Sequence, residues 1–296
     1  MYKEERKRVP IPVALAVFAA ALLLVIFGGK ILGIFGVYAS LISELFFLFI
    51  SLIAVVACRV PLKNVLPVKK VRFRQIAGMA VLYLGANYII SGITVIMQIL
   101  FPFEMAKLVS DMTGAIGSMT FWQGLIIVGI SAAVCEEVMC RGVFLNAFSR
   151  IRSKGVVVAI IGVLFGILHF DPFRFFITGI LGAVIAYIMI ETENIFMPML
   201  YHFVNNTLSL IVNHTTDYSA LTDTLLKVDI ASRITNFVSF IYAAAGVFVV
   251  FAGVLLIRKN REKTEALKKT NKRLLTASAV IAGLFITSGI VYIFVN

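Results

Sequence analysis

Long apolar runs alternate with short polar breaks along this chain, and the runs have the length of helices that cross a bilayer. Nine can be read, at residues 11–33, 38–58, 76–100, 121–148, 156–170, 174–191, 195–213, 234–257 and 274–295. A spanning helix needs about 20 consecutive apolar residues. The fifth run is short by that measure and meets a break at Asp171-Pro172. The pattern predicts an all-α, polytopic transmembrane bundle of eight or nine spans. It divides into N-terminal helices (1–120), a central helical core (121–213) and C-terminal helices (214–296). The opening "MYKEERKRVP" resembles the basic region of a signal peptide. The apolar run after it is too long for a signal core and no cleavage site follows, so it reads as a helix.

Composition agrees with a membrane protein: 60% of residues are hydrophobic and 14% charged, against about 45–50% and about 25% in soluble domains. The net charge of +12 does not require a nucleic-acid partner. With the N-terminus cytoplasmic, 21 of the 27 Lys and Arg fall in the inner segments 1–10, 59–75, 149–155, 192–194 and 258–273, as the positive-inside rule expects. Nine spans would then leave the C-terminus outside. The basic connector 258–273 suits anionic lipid headgroups. Compact loops and a basic inner face read as a bacterial cell membrane. Cys58, Cys135 and Cys140 form no even set and lie in or beside apolar runs, so no disulfide framework is expected. No loop is long enough to form a separate soluble domain, and any chemistry must lie inside the bilayer.

One stretch breaks the apolar pattern: "SAAVCEEVMCRGVF", residues 131–144. An ionisable side chain near the bilayer centre costs about 2.5–3.5 kcal/mol and needs a partner or a water-filled cavity. Glu136 and Glu137 stand roughly 18 Å from the inner end of their span at about 1.5 Å per residue. Arg141 follows Glu137 by four positions, the spacing of a helical ion pair. Glu136 points about 100° away from Glu137 and is left for another partner. Two of the three histidines also fall in apolar runs, with Phe165 and His169 on one helix face and His202 and Asn206 on another. Three helices would thus bring Glu136, His169, His202 and Asn206 to one interior. A glutamate beside a histidine can take a proton from water, and a second histidine with an asparagine can donate to a carbonyl oxyanion. A glutamate and two histidines are equally the ligands of an open zinc site. Side-chain identity leaves both readings open.

The ordered set resembles a known family. "EEVMCR" (136–141) fits E-E-x-x-x-R, "FGILH" (165–169) fits F-x-x-x-H and "HFVNN" (202–206) fits H-x-x-x-N. Their order and placement in three helices are similar to the CPBP intramembrane proteases. That family includes the type II CAAX prenyl endopeptidases and the Abi-like proteins of bacteriocin processing or self-immunity. The resemblance covers residues about 121–213. It implies hydrolysis of a peptide bond within the membrane, with Glu136 the principal base and His169 its partner. It further implies that His202 and Asn206 polarise the carbonyl, and that Glu137, Arg141 and Phe165 support the site. Family members are commonly called metalloproteases, which would make Glu136, His169 and His202 zinc ligands; a glutamate-dependent, metal-free mechanism is the alternative. The expected substrate is a hydrophobic or membrane-borne peptide, such as a leader peptide or a membrane-protein tail. Prenylation and oligomeric state are not legible.

Other polar residues read as local. Glu44 is a buried carboxylate that lines the cavity or pairs with Lys30, and Asp171 reads as a turn or cap residue. Cys135 and Cys140 read as small apolar residues, and His214 as a solvated one. Asn205 competes with Asn206, but only Asn206 has the spacing from His202. Two other functions compete: a proton-coupled transporter, since intramembrane Glu and His also build relays, and a non-catalytic peptide-binding or immunity scaffold. The absence of paired halves with matching broken helices counts against the transporter.

Overall fold

A computed structural model describes residues 7–216, 230–259 and 265–295. In chain order its helices are α1 (Ile11–Leu32), α2 (Ala39–Ala57), α3 (Phe73–Leu100), α4 (Pro102–Gly117) and α5 (Phe121–Phe148). There follow α6 (Lys154–Leu168), α7 (Pro172–Thr192), α8 (Phe196–Thr215), α9 (Ile230–Ile257) and α10 (Glu265–Val295). Among the described residues no strand forms beyond an isolated bridge between Val68 and Asn194. The chain is an all-α, polytopic bundle.

Six helical segments are long and apolar enough to cross a membrane among the described residues, not the eight or nine expected. Three differences account for the change. The first two expected spans form one 47-residue apolar segment, Ile11–Ala57. Its joint, Gly33–Tyr38, stays wound as a 3₁₀ turn, with Gly36 alone leaving helical geometry at φ +54°. A residue with a Cβ rarely takes that conformation. The helix over the expected fifth span has only 15 residues, roughly 22 Å at about 1.5 Å per residue. That is short of a hydrocarbon core about 30 Å thick. α8 has the length, but His202, Asn205, Asn206, Thr207 and Ser209 make it too polar. With six segments, the outside C-terminus inferred from nine no longer follows. Residues 217–229 of the loop 214–233, Lys227 among them, and residues 260–264 of the loop 258–273 lie outside the described residues.

The chain forms two compact units, residues 1–70 with 114–216, and residues 71–113 with 217–296. In the second, glycines let α3 and α9 approach closely: a Cβ on Gly85 would stand 2.7 Å from the Val250 backbone nitrogen. Phe240, Ala243 and Val247 of α9 then share a core with Ala282, Phe285 and Tyr292 of α10.

The first unit holds α1, α2 and α5 to α8, and with them every candidate residue. α6 ends at His169, and Phe170 turns the chain in the left-handed region at φ +45°. Asp171 then caps α7, its Oδ1 accepting from the Phe173 and Arg174 backbone N–H groups at 2.8 Å each. Pro172 occupies the first turn, where a missing N–H costs nothing. α6 and α7 pack backbone to backbone. A Cβ on Gly162 would lie 2.7 Å from the Gly179 carbonyl oxygen, and one on Gly182 would lie 2.7 Å from the Phe165 Cβ. Neither neighbour is the free end of a flexible side chain. Gly182→Ala should therefore separate the two helices and destabilise the protein by about 1–3 kcal/mol. Thermal unfolding in detergent measures this, and an unchanged midpoint would refute the close packing.

Candidate active site

α5 presents the acidic pair from an irregular stretch. A six-residue α-helical segment, Ala132–Glu137, lies between two wide π-helical turns, Leu125–Ser131 and Val138–Phe144. Such turns are rare and often mark functional sites, and nothing in the hydropathy pattern announces them. Adjacent on this segment, Glu136 and Glu137 meet different surroundings. Glu136 is half-buried, whereas Glu137 is wholly buried.

Glu137 is at the centre of a hydrogen-bonded cluster. Its Oε1 accepts from Arg141 Nη1 at 2.8 Å and lies 2.8 Å from His202 Nδ1. Arg141, also wholly buried, donates through Nη2 to the Gly182 carbonyl at 2.8 Å. Its guanidinium sits 4.9 Å from the centroid of the Phe165 ring. Phe165 in turn packs edge-on against His169 and His202, with centroids 4.9 and 5.9 Å apart. Helices α5, α6, α7 and α8 are thus tied together around one arginine.

The histidine hydrogen bonds decide which ring nitrogens remain available. A carbonyl oxygen only accepts, so His169 Nδ1, 2.9 Å from the Phe165 carbonyl, carries the proton. In the neutral ring Nε2 is then a proton acceptor. The Glu137 carboxylate likewise makes His202 Nδ1 the donor. His202 Nε2 donates only when the ring carries a second proton. Asn206 gives one Nδ2–H to the Val128 carbonyl at 2.9 Å, and its amide has a second N–H to offer. Asn205 donates to Asn206 Oδ1 at 3.3 Å, so the neighbouring amide braces Asn206.

Glu136 has other neighbours. His169 lies within its electrostatic reach, as does Arg174 in the first turn of α7. Glu44 of α2 brings its carboxyl within hydrogen-bonding reach of Glu136. The sequence pointed to Glu44 through its place in an apolar helix, yet its neighbour is Glu136 and not Lys30. Arg174 lies outside the basic inner segments, and nothing in its sequence setting singles it out as a neighbour of the site. His202 is placed on Glu137, with Phe165 between it and His169. His214, read as solvated, is exposed and lies apart from the site, its Nδ1 3.1 Å from the Leu210 carbonyl.

A zinc ion does not fit this arrangement. Among the described residues no three His, Cys, Asp or Glu side chains are grouped to hold a metal ion.

Residues 118–208 match the family model described as type II CAAX prenyl endopeptidase Rce1-like. No curated protein and no solved structure matches the chain. The matched segment contains all three motifs and ends two residues beyond Asn206. Over that segment this integral membrane chain is similar to the type II CAAX prenyl endopeptidases, a family of proteases, and the similarity includes its E-E-x-x-x-R, F-x-x-x-H and H-x-x-x-N motifs.

Proposed function

We propose that the protein hydrolyses a peptide bond in a hydrophobic, membrane-borne peptide, using water activated by Glu136 and His169. The observation that carries this reading is the half-buried Glu136 carboxylate beside a histidine whose Nδ1 is engaged at Phe165. Two proton acceptors, Glu136 and His169 Nε2, then serve one water molecule. Its oxygen attacks the scissile carbonyl carbon, the carbonyl π pair moves to oxygen, and the water's proton passes to Glu136. The second N–H of Asn206 and the protonated Nε2 of His202 donate to the oxyanion. As the tetrahedral species collapses, the C–N bond breaks and the leaving nitrogen takes the proton from Glu136. Glu137, Arg141 and Phe165 hold His202 and His169 in place, and no step passes through a metal ion. The catalytic core is residues 121–213, and the N-terminus is cytoplasmic in a bacterial cell membrane.

The family description makes a farnesylated CAAX peptide the first substrate to try, with an unprenylated hydrophobic peptide beside it. Purified full-length protein in lipid should release the C-terminal fragment, as read by mass spectrometry. His169→Ala should lower that rate about 10²–10⁴-fold, the usual contribution of a proton-transfer group. Peptides that bind but stay whole would turn the reading into that of a scaffold, and pH-dependent flux without cleavage into that of a carrier.

A further inference from the structure

Glu44 lies on α2, far outside the segment that matches the protease family. Three observations nevertheless tie it to the site. α2 packs against the Ala132–Glu137 segment of α5. The Glu44 and Glu136 carboxyls come within hydrogen-bonding reach of each other. The Glu44 Oε2 is buried with no hydrogen-bond partner. Two ionised carboxylates are both acceptors, so such a contact leaves two like charges facing each other with no hydrogen between them. One proton converts this repulsion into a hydrogen bond, as in other carboxyl pairs that share a site.

We infer that Glu44 and Glu136 share a single proton, with Glu44 the neutral donor that orients Glu136 as the base. The surroundings decide which member is ionised. Arg174 reaches Glu136, and Arg141 is committed to Glu137. The other groups facing the pair are Cys135 and Cys140 on α5 and His169 at the end of α6. The cation therefore favours the anion on Glu136 and leaves the proton on Glu44. Resting on the hydrolytic reading above, the proton count closes. Glu136 gains the water's proton as the C–O bond forms and loses it to nitrogen as the C–N bond breaks. Glu44 keeps its own proton throughout. It is a positioning residue that acts through Glu136.

Infrared spectroscopy of the full chain in lipid at neutral pH tests the shared proton without any substrate. The wild type should show a carboxylic-acid C=O band that is absent in Glu44→Gln. In Glu136→Gln the band should shift, because the acid has lost its anionic acceptor. Wild-type and Glu44→Gln spectra that coincide, or a band that Glu136→Gln leaves unmoved, would overturn the inference. Kinetics supply the second readout. Glu44→Ala should lower kcat roughly 10–100-fold, the usual effect of losing a partner that orients a working side chain, with KM unchanged. Glu44→Gln, which keeps an N–H to donate, should recover much of that loss. It should also remove the contribution of Glu44 to the pH dependence of kcat/KM. Wild-type rate and pH profile in Glu44→Ala would sink the positioning role. If Glu136→Gln retains full cleavage, the assignment of Glu136 as the base fails instead, and the infrared result still decides the shared proton.

Discussion

Replacing Glu136 by Gln is expected to lower peptide cleavage about 10²–10⁴-fold, the range for removing a general base, without lowering the thermal unfolding midpoint. Both halves of that expectation come from position. Glu136 is half-buried and faces Glu44, so an amide there removes one charge from the site, keeps the side chain's shape and still offers an oxygen to the Glu44 proton. Glu137, one residue on, is the control. Its Oε1 serves Arg141 and His202 together, within a fully buried cluster. Glu137→Gln should lower both stability and cleavage, because it leaves the Arg141 charge without a counter-charge. The pair of variants, assayed for cleavage and melting in the same lipid, separates a catalytic carboxylate from an architectural one. Wild-type cleavage by Glu136→Gln would move the base to His169 Nε2, the other acceptor at the site.

How far the sequence revealed this site depends on the range of each interaction. Contacts within one helix follow from the 3.6-residue period. The spacing of Glu137 and Arg141 makes their ion pair predictable, and Asp171 before Pro172 announces a helix start. Contacts between helices leave no such trace. That His202 of α8 would bond to Glu137, and Glu44 of α2 face Glu136, depends on how helices far apart in sequence are rotated and docked. The only sequence signal for Glu44 was the cost of placing a carboxylate in an apolar run. Span counting failed for a related reason. Hydropathy marks the fifth run as short and broken at Asp171-Pro172, but it does not register that Ile11–Ala57 stays wound through its joint. The wide turns of α5 depend on backbone hydrogen bonding, which residue type hardly encodes.

Arg141→Met should cost about 3–5 kcal/mol of stability, the penalty for removing one partner of a buried ion pair. Three contacts disappear together: the bond to Glu137, the bond to the Gly182 carbonyl and the stacking over Phe165. The largest loss comes from what remains, since Glu137 keeps a buried charge whose Oε2 already lacks a partner. Arg141→Lys should not rescue the fold, because one ammonium group cannot reproduce a planar fork that joins carboxylate and carbonyl. Removing both charges is the decisive comparison. A Glu137→Gln, Arg141→Met double variant should recover most of the lost stability, since a neutral replacement of a buried pair is often tolerated. Cleavage should not return with it, because the carboxylate that fixes the His202 ring is gone. Equilibrium unfolding and peptide cleavage measured on the same preparations test both halves. If Arg141→Met melts like the wild type, the arginine is not what holds these helices together. If the double variant regains cleavage along with its fold, His202 does not depend on Glu137 for its place in the reaction.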